Sequence, residues 1–294
     1  YVWLSNQYSN TGIEFTRLQA RVSGAVTPTN FIAFNPDPFN QPSSLGAAST
    51  NEIDVADPDF EFPQVLRASL GYDFDLGFWG LIASAEAIYS QVEQEIKYQN
   101  LNVRPTGQVL FDGRPLFRTR AVDPTLGDVI LLTNTNEGEQ TNVALKIERP
   151  FRDNWYASVS YIWGDAKSVN DGGSSQAISN WRFVYVKGDP NNPDLATSDY
   201  EVEHRFTAAF SYRLDLFGRA PMNIGLFFNA QSGRPYSTTF SNDVNGDAQD
   251  NDLFYVPRSA DEVIVTNGTW DDLNRYIEAD AGLSSARGSI VSRN

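Results

Sequence analysis

Apolar and polar positions alternate with a period of two in three separate stretches of the chain. In the first, Leu66, Ala68, Leu70, Tyr72 and Phe74 fall on one side, and Val65, Arg67, Ser69, Gly71 and Asp73 on the other. After a turn at 75–77, Trp79, Leu81, Ala83, Ala85, Ala87 and Tyr89 form a second apolar series. Ile82, Ser84, Glu86 and Ile88 stand opposite them. In the second stretch, Val143, Leu145 and Ile147 alternate with Ala144, Lys146 and Glu148. A turn through residues 149–154 leads to Trp155, Ala157, Val159, Tyr161 and Trp163, which alternate with smaller or polar residues. In the third, Phe206, Ala208, Phe210, Tyr212 and Leu214 alternate with Arg205, Thr207, Ala209, Ser211 and Arg213. A turn through 215–221 then leads to Ile224, Leu226, Phe228 and Ala230. Alternation of this kind predicts β-strands with two unlike faces, paired as three antiparallel hairpins.

Two details give the hairpins a setting. Trp79 and Tyr89 close the two ends of one apolar series, and Trp155 and Trp163 close another. A strand of about eight to ten residues, tilted by about 40°, rises roughly 20–25 Å, the height of the apolar band of an outer-membrane barrel between its aromatic girdles. The connections are also unequal. Those inside each hairpin are short, while the segments near 105–140, 165–202 and 233–275 are several times longer. Membrane barrels pair short turns on one side with long external loops on the other. Compact soluble domains rarely repeat loops longer than about 15 residues. Arg67, Glu86, Lys146, Glu148, Arg205 and Arg213 all fall on the polar series. A charge facing lipid at mid-bilayer costs about 2–4 kcal/mol, so their common side is expected to face the lumen. Arg205 and Arg213 could attract an anion, but are expected to pair with neighbouring carboxylates. The expected fold is therefore an all-β, antiparallel transmembrane β-barrel with long external loops. A soluble sheet with one solvated face shares the same alternation.

Composition narrows the chemistry. The 294 residues carry 22 Lys and Arg against 37 Asp and Glu, a net charge of −15. Such an acidic chain is a poor partner for nucleic acid, whose phosphates need basic surface. There is no cysteine, so disulfides and thiolate chemistry are excluded, and His204 is the lone histidine. In Glu203-His204-Arg205-Phe206 it opens a strand and is expected to be a hydrogen-bonder at the rim rather than a base. No nucleophile–base pair, phosphate loop or cofactor fingerprint occurs, and no enzymatic activity is expected. No apolar run approaches the roughly 18 residues of a membrane-spanning helix.

The long segments hold the remaining motifs. Val109-Leu110-Phe111, then Asp112-Gly113-Arg114, then Leu116-Phe117-Arg118 predicts an external hairpin, because Asp-Gly favours a tight turn. Residues 91–99 are expected to continue their strand beyond the bilayer, and 129–132 form a short apolar run. Residues 23–60, rich in Pro, Ser and Asn, are expected to be a surface loop with little regular structure. Asn267-Gly268-Thr269 fits a glycosylation sequon that would be idle in a bacterial envelope. In the acidic stretch 242–252, Asp243, Asn245, Asp247 and Asp252 offer the hard oxygens that calcium takes. The stretch departs from an EF-hand loop, with Ala248 where glycine belongs and Phe254 where a glutamate belongs.

The order of several short motifs resembles the Oar-like TonB-dependent receptors. They are Pro63-Gln64-Val65-Leu66-Arg67, the run 132–138, Glu203-His204-Arg205-Phe206, Ser232-Gly233-Arg234-Pro235-Tyr236-Ser237 and Asn251-Asp252-Leu253-Phe254-Tyr255-Val256-Pro257. The opening Tyr1-Val2-Trp3-Leu4-Ser5-Asn6, the later Tyr276-Ile277-Glu278-Ala279 and the pair Arg287-Gly288 resemble that family too. The resemblance implies a barrel of about 22 strands in the outer membrane of a Gram-negative bacterium, of which residues 1–294 form one internal-to-late section. It also implies an N-terminal plug and a TonB box, neither visible here, through which the TonB complex would act. The implied role is movement of a substrate, not identified by these motifs, across the outer membrane. The implied partners are outer-membrane lipid, the TonB complex and that substrate. A passive porin or surface-adhesion barrel would share every hairpin feature. A soluble β-protein that binds carbohydrate through exposed aromatics is the third reading.

Overall fold

The computed structural model of the chain describes residues 37, 39, 52–216, 218 and 220–294. The opening motif 1–6 and most of the expected loop 23–60 lie outside the described residues. The described chain runs through β1 (Ile53–Ala56), β2 (Gln64–Asp75), β3 (Ile82–Asn100), β4 (Arg104–Val109), β5 (Pro115–Arg118), β6 (Val129–Thr135) and β7 (Gly138–Arg152). It continues through β8 (Trp155–Ser168), α1 (Ala177–Arg182), β9 (Ala196–Thr197), β10 (His204–Leu216), β11 (Ala220–Gln231), α2 (Trp270–Ala279) and α3 (Ala281–Ser285). No helix among the described residues is long and apolar enough to cross a membrane.

The three expected hairpins are β2–β3, β7–β8 and β10–β11. They pair side by side as an antiparallel sheet in the order β2, β3, β7, β8, β10, β11. The sheet is open among the described residues: β2 and β11 do not pair with each other. Residues directly opposite in an antiparallel pair share a face, so the registers can be followed across all six strands. Tyr72 faces Ala85, Ala85 faces Leu145, Leu145 faces Tyr161, Tyr161 faces Phe206, and Phe206 faces Ala230. The apolar series of the three hairpins therefore merge into one continuous face. That face is not covered: Leu70 is 78% exposed and Leu226 68%.

The turns differ in detail from their sequence outlines. The β2–β3 connection runs on to Leu81, and Trp79 sits in it at φ 55 rather than on the strand. The β7–β8 turn is only Asp153-Asn154, both at positive φ (52 and 68). Two successive left-handed residues make the turn that matches strand twist, and Asp and Asn tolerate it best after glycine.

All long connections lie at the opposite end. β3 has 19 residues, about 60 Å of strand, well beyond what an apolar band needs. Its outer part pairs with β6 and its inner part with β7 in one unbroken register. β6 and β7 thus behave as one long strand interrupted at 136–137. On the far side of β6 lies β1, parallel to it, so the end of the expected loop 23–60 is ordered. Its polar linker is tied down where Glu61 N–H donates to Asn134 Oδ1 (2.8 Å). The β4–β5 hairpin forms as the Asp-Gly signal predicts, with Gly113 at φ 89.

The long connections build a folded cap with two apolar cores. One gathers Val103, Phe117, Ile130, Ile178 and Trp181, joined by Tyr98 and Leu132 from the outer ends of the strands. The other gathers Leu253, Val256, Ile277, Leu283 and Val291. The helices were not expected from polar loop composition. Their signals are local: Thr269 Oγ1 accepts from Asp272 N–H while Asp272 Oδ2 accepts from Thr269 N–H, a reciprocal cap. The sequon residue Thr269 is thus an N-cap, and Leu273 and Ile277 follow on one helical face.

Candidate functional site

The sheet's second face carries the six charged residues expected on it. Arg67 faces Ser90 and Glu86 faces Ala144; Lys146 faces Ser84 and Ser160; Glu148 faces Ile82 and Ser158; Arg205 faces Ile162; Arg213 faces Asn223. Four of the six have polar side-chain partners on that face. Lys146 pairs with Glu148, Arg67 Nε donates to Ser90 Oγ (3.2 Å), and Ser84 Oγ to Asp73 Oδ1 (2.6 Å). Arg205 Nε donates to Asn229 Oδ1 (3.1 Å). The expected carboxylate partners of Arg205 and Arg213 are not there: no ion pair among the described residues includes either. The cross-strand neighbours at those positions are Ile162, Gln231 and Asn223.

The four aromatics expected to form girdles, Trp79, Tyr89, Trp155 and Trp163, lie towards the two ends of the apolar series. At the turn end, Arg149 gathers two of them. Its Nε donates to the Trp79 carbonyl (3.0 Å), its Nη1 to the Trp155 carbonyl (2.9 Å), and its guanidinium lies 3.9 Å from the Trp155 ring centroid. Nη2 pairs with Asp153 (2.8 Å). A cation on the apolar side survives by reaching back to carbonyls and an aromatic face at the rim. The sequence signal was an arginine ending the series Val143, Leu145, Ile147. At the other end Trp163 stands between Val143 and His204, and Tyr89 Oη donates to Gln91 (2.6 Å). His204 is the expected rim hydrogen-bonder: its Nδ1 is 2.8 Å from Tyr161 Oη, and its ring stacks on that tyrosine.

The acidic stretch 242–252 turns part of its polar side chains into the cap. Asn245, Asp247 and Asp252 have no exposed surface. The four side chains expected to offer oxygens to calcium are engaged by the protein itself, each of their oxygens accepting at least one N–H. Asp243 accepts from Gly246 N–H (2.6 Å) and Ala248 N–H (2.8 Å). Asp252 accepts from Val244 N–H (2.7 Å) and from Arg114 Nη1 (2.9 Å). Asp247 accepts from Gln249 N–H and Asn245 Nδ2, and Asn245 Oδ1 from Asp247 N–H. No cluster of three acidic or imidazole groups among the described residues has a metal-holding arrangement. The counter-ion is Arg114, itself fully buried, which also reaches Asp112 (2.7 Å) and the Leu253 carbonyl (2.7 Å). Arg114 therefore pins the β4–β5 hairpin to the acidic loop. Nothing in the sequence marked it, since an arginine after Asp-Gly is expected to be exposed. Gly246 seals the same contact: its φ is 82, and a Cβ there would stand 2.7 Å from the Phe117 carbonyl. Burial raises the Asp247 carboxyl to about 7 and also raises that of Asp252.

Where the polar face meets the cap there is a cavity of about 380 Å³, lined from the sheet by Asn142, Gly164 and Arg205 and from the cap by Tyr200 and Glu201. A segment of the β8–β10 connection lies over the sheet here, since a Cβ on Gly164 would stand 3.4 Å from the Val202 carbonyl.

An open antiparallel sheet with a bare apolar face, aromatic ends and one folded cap defines a membrane-barrel wall. A family model described as an outer membrane beta barrel domain matches residues 3–289. The chain belongs to that family, and its place is the outer membrane of a Gram-negative bacterium. Searches of the curated proteins and of the solved structures found no match.

Proposed function

We propose that this chain is a section of the wall of a TonB-dependent outer-membrane receptor of the Oar-like kind, which moves a substrate across the outer membrane. In this reading the apolar face meets lipid, and the charged face lines the lumen of a closed barrel of about 22 strands. Strands outside this section would pair with the edges of β2 and β11, because an open edge is not tolerated in hydrocarbon. A plug and a TonB box would come from an N-terminal part. The chain performs no covalent chemistry; the folded cap forms the outer vestibule.

The observation that carries the reading is the continuous apolar face, exposed across six strands, that ends at a large ordered cap. The motif order given above adds the TonB-dependent reading to that geometry. A porin would share the wall, and planar-bilayer conductance separates the two. A receptor with a plugged lumen stays closed, whereas steady open-channel current from the intact protein would favour the porin. Deleting the inner-membrane energy source should abolish uptake by a receptor and leave a porin unaffected.

A further inference from the structure

The cavity beside Arg205 has a neighbour. A second cavity of about 130 Å³ lies between the outer end of β8 and α1, and the two share one wall, Tyr200. Phe183, 72% exposed, stands at the second cavity with Tyr200, 59% exposed.

The floor is built rather than incidental. Arg293 lines it and is only 7% exposed. It is held by the Ser168 and Val169 carbonyls, with no ion pair to it among the described residues. Asp171 binds the hydroxyls of Ser168 and Ser198 (2.6 Å each) and Asp199 N–H (2.9 Å). Among the lining residues each cavity has two carboxylates and one guanidinium: Asp171 and Asp199 with Arg293, and Asp165 and Glu201 with Arg205. Lys167 pairs with Asp165 (3.6 Å) and the Arg234 guanidinium lies over the Tyr200 ring, 5.8 Å from its centroid, so the charges about the two cavities nearly balance and a phosphate or carboxylate gains no net attraction. An ammonium group is poorly served too, because the carboxylates are engaged. Besides the three bonds to Asp171, Glu201 Oε2 accepts Ala166 N–H (2.6 Å) and Asp199 Oδ1 accepts Asn294 Nδ2 (2.5 Å). What suits the site is a group that donates and accepts at once and has an apolar flank. A sugar ring has that chemistry: hydroxyls for the mixed floor, and C–H faces for the aromatic rings.

We propose that the two cavities are adjacent subsites for a neutral oligosaccharide, with Tyr200 as the stacking platform between them. This deepens the transport reading and rests on it for its physiological meaning, but binding can be tested separately. The intact outer-membrane protein that contains this section, purified in detergent, would be applied to an array of neutral and acidic oligosaccharides and basic peptides. Retention of a neutral oligosaccharide is expected. Tyr200→Ala and Phe183→Ala should each weaken it by about tenfold or more, as for aromatic anchors elsewhere, and Tyr200→Phe should keep most of it. Phe183 is exposed enough that its truncation leaves folding intact. Failure to retain any neutral glycan, preference for acidic glycans or basic peptides, or wild-type binding by both alanine variants would overturn the proposal. Uptake that persists without TonB, with glycan binding intact, would instead overturn the TonB-dependent reading alone.

Discussion

The sheet and the cap treat the same kinds of residue in opposite ways. In the sheet, leucines and aromatics stand bare, and within the apolar band the formal charges gather on the other face, with Arg149 at the rim the exception. In the cap, Ile130, Val256 and Ile277 lose all exposure, and Arg114 and Asp252 are buried together. The difference lies in what surrounds each region. Hydrocarbon accepts apolar side chains, so the wall gains nothing by hiding them and is held instead by its backbone ladder. The cap meets water, so it must bury apolar surface to stay ordered. Each fully buried Leu- or Ile-sized side chain contributes about 1.5–3 kcal/mol.

The sharpest way to break that contrast is in the cap. Arg114→Ala leaves Asp112 and Asp252 buried without their cation, and removing one partner of such a pair costs about 3–5 kcal/mol. Hydrogen exchange should show loss of protection around 104–118 and 240–256 while the strand ladder holds; equal loss in β8 and β10 would mean the two regions are not independent. The next largest effect is in the wall. Leu70→Lys puts a charge on the lipid side and should cost about 2–4 kcal/mol near mid-bilayer, whereas Ser69→Lys, one residue away on the other face, should stay within about 0.5 kcal/mol. Urea unfolding from lipid bilayers measures both, and equal costs would show that the two faces do not have different surroundings.

A smaller effect is the pH response of the cap. Asp247 ionises at about 7 in the folded chain, above its ordinary 3.8. Between those values the folded state holds a proton that the unfolded state has lost, so cap stability falls as pH rises from about 4 to 7. Asp247→Asn should flatten that slope in thermal melts followed by tryptophan fluorescence, and an unchanged slope would remove Asp247 as its source. The smallest expected effect is that of calcium. With the oxygens of Asp243 and Asp252 committed to N–H groups and Arg114, millimolar calcium should leave the cap's melting temperature unmoved, and a clear rise would contradict the hydrogen bonding described here.

The wall was legible because a strand's pattern is local. Period two places Leu66 through Phe74 on one side whatever the neighbours are, and the registers merely align one strand's series with the next. The cap was legible only in pieces. The Asp112-Gly113 turn announced its hairpin, but Arg114 beside it gave no sign of burial. The acidic stretch read as a metal loop because carboxylate spacing looks alike whether a cation or backbone N–H groups satisfy it. Arg149 and the helices had signals that were visible afterwards, at the end of an apolar series and in the Thr269–Asp272 cap.

The amino-acid order alone determined which side chains share a face, where the chain turns tightly and which connections are long. These depend on backbone geometry within a few residues. Only the tertiary structure decided that the long connections pack on one another, that Arg114 meets Asp252 across 138 residues, and that Tyr200 divides two cavities. Those contacts depend on which distant segments meet, and a one-dimensional pattern of polar residues is satisfied equally well by water, by an ion or by another part of the chain.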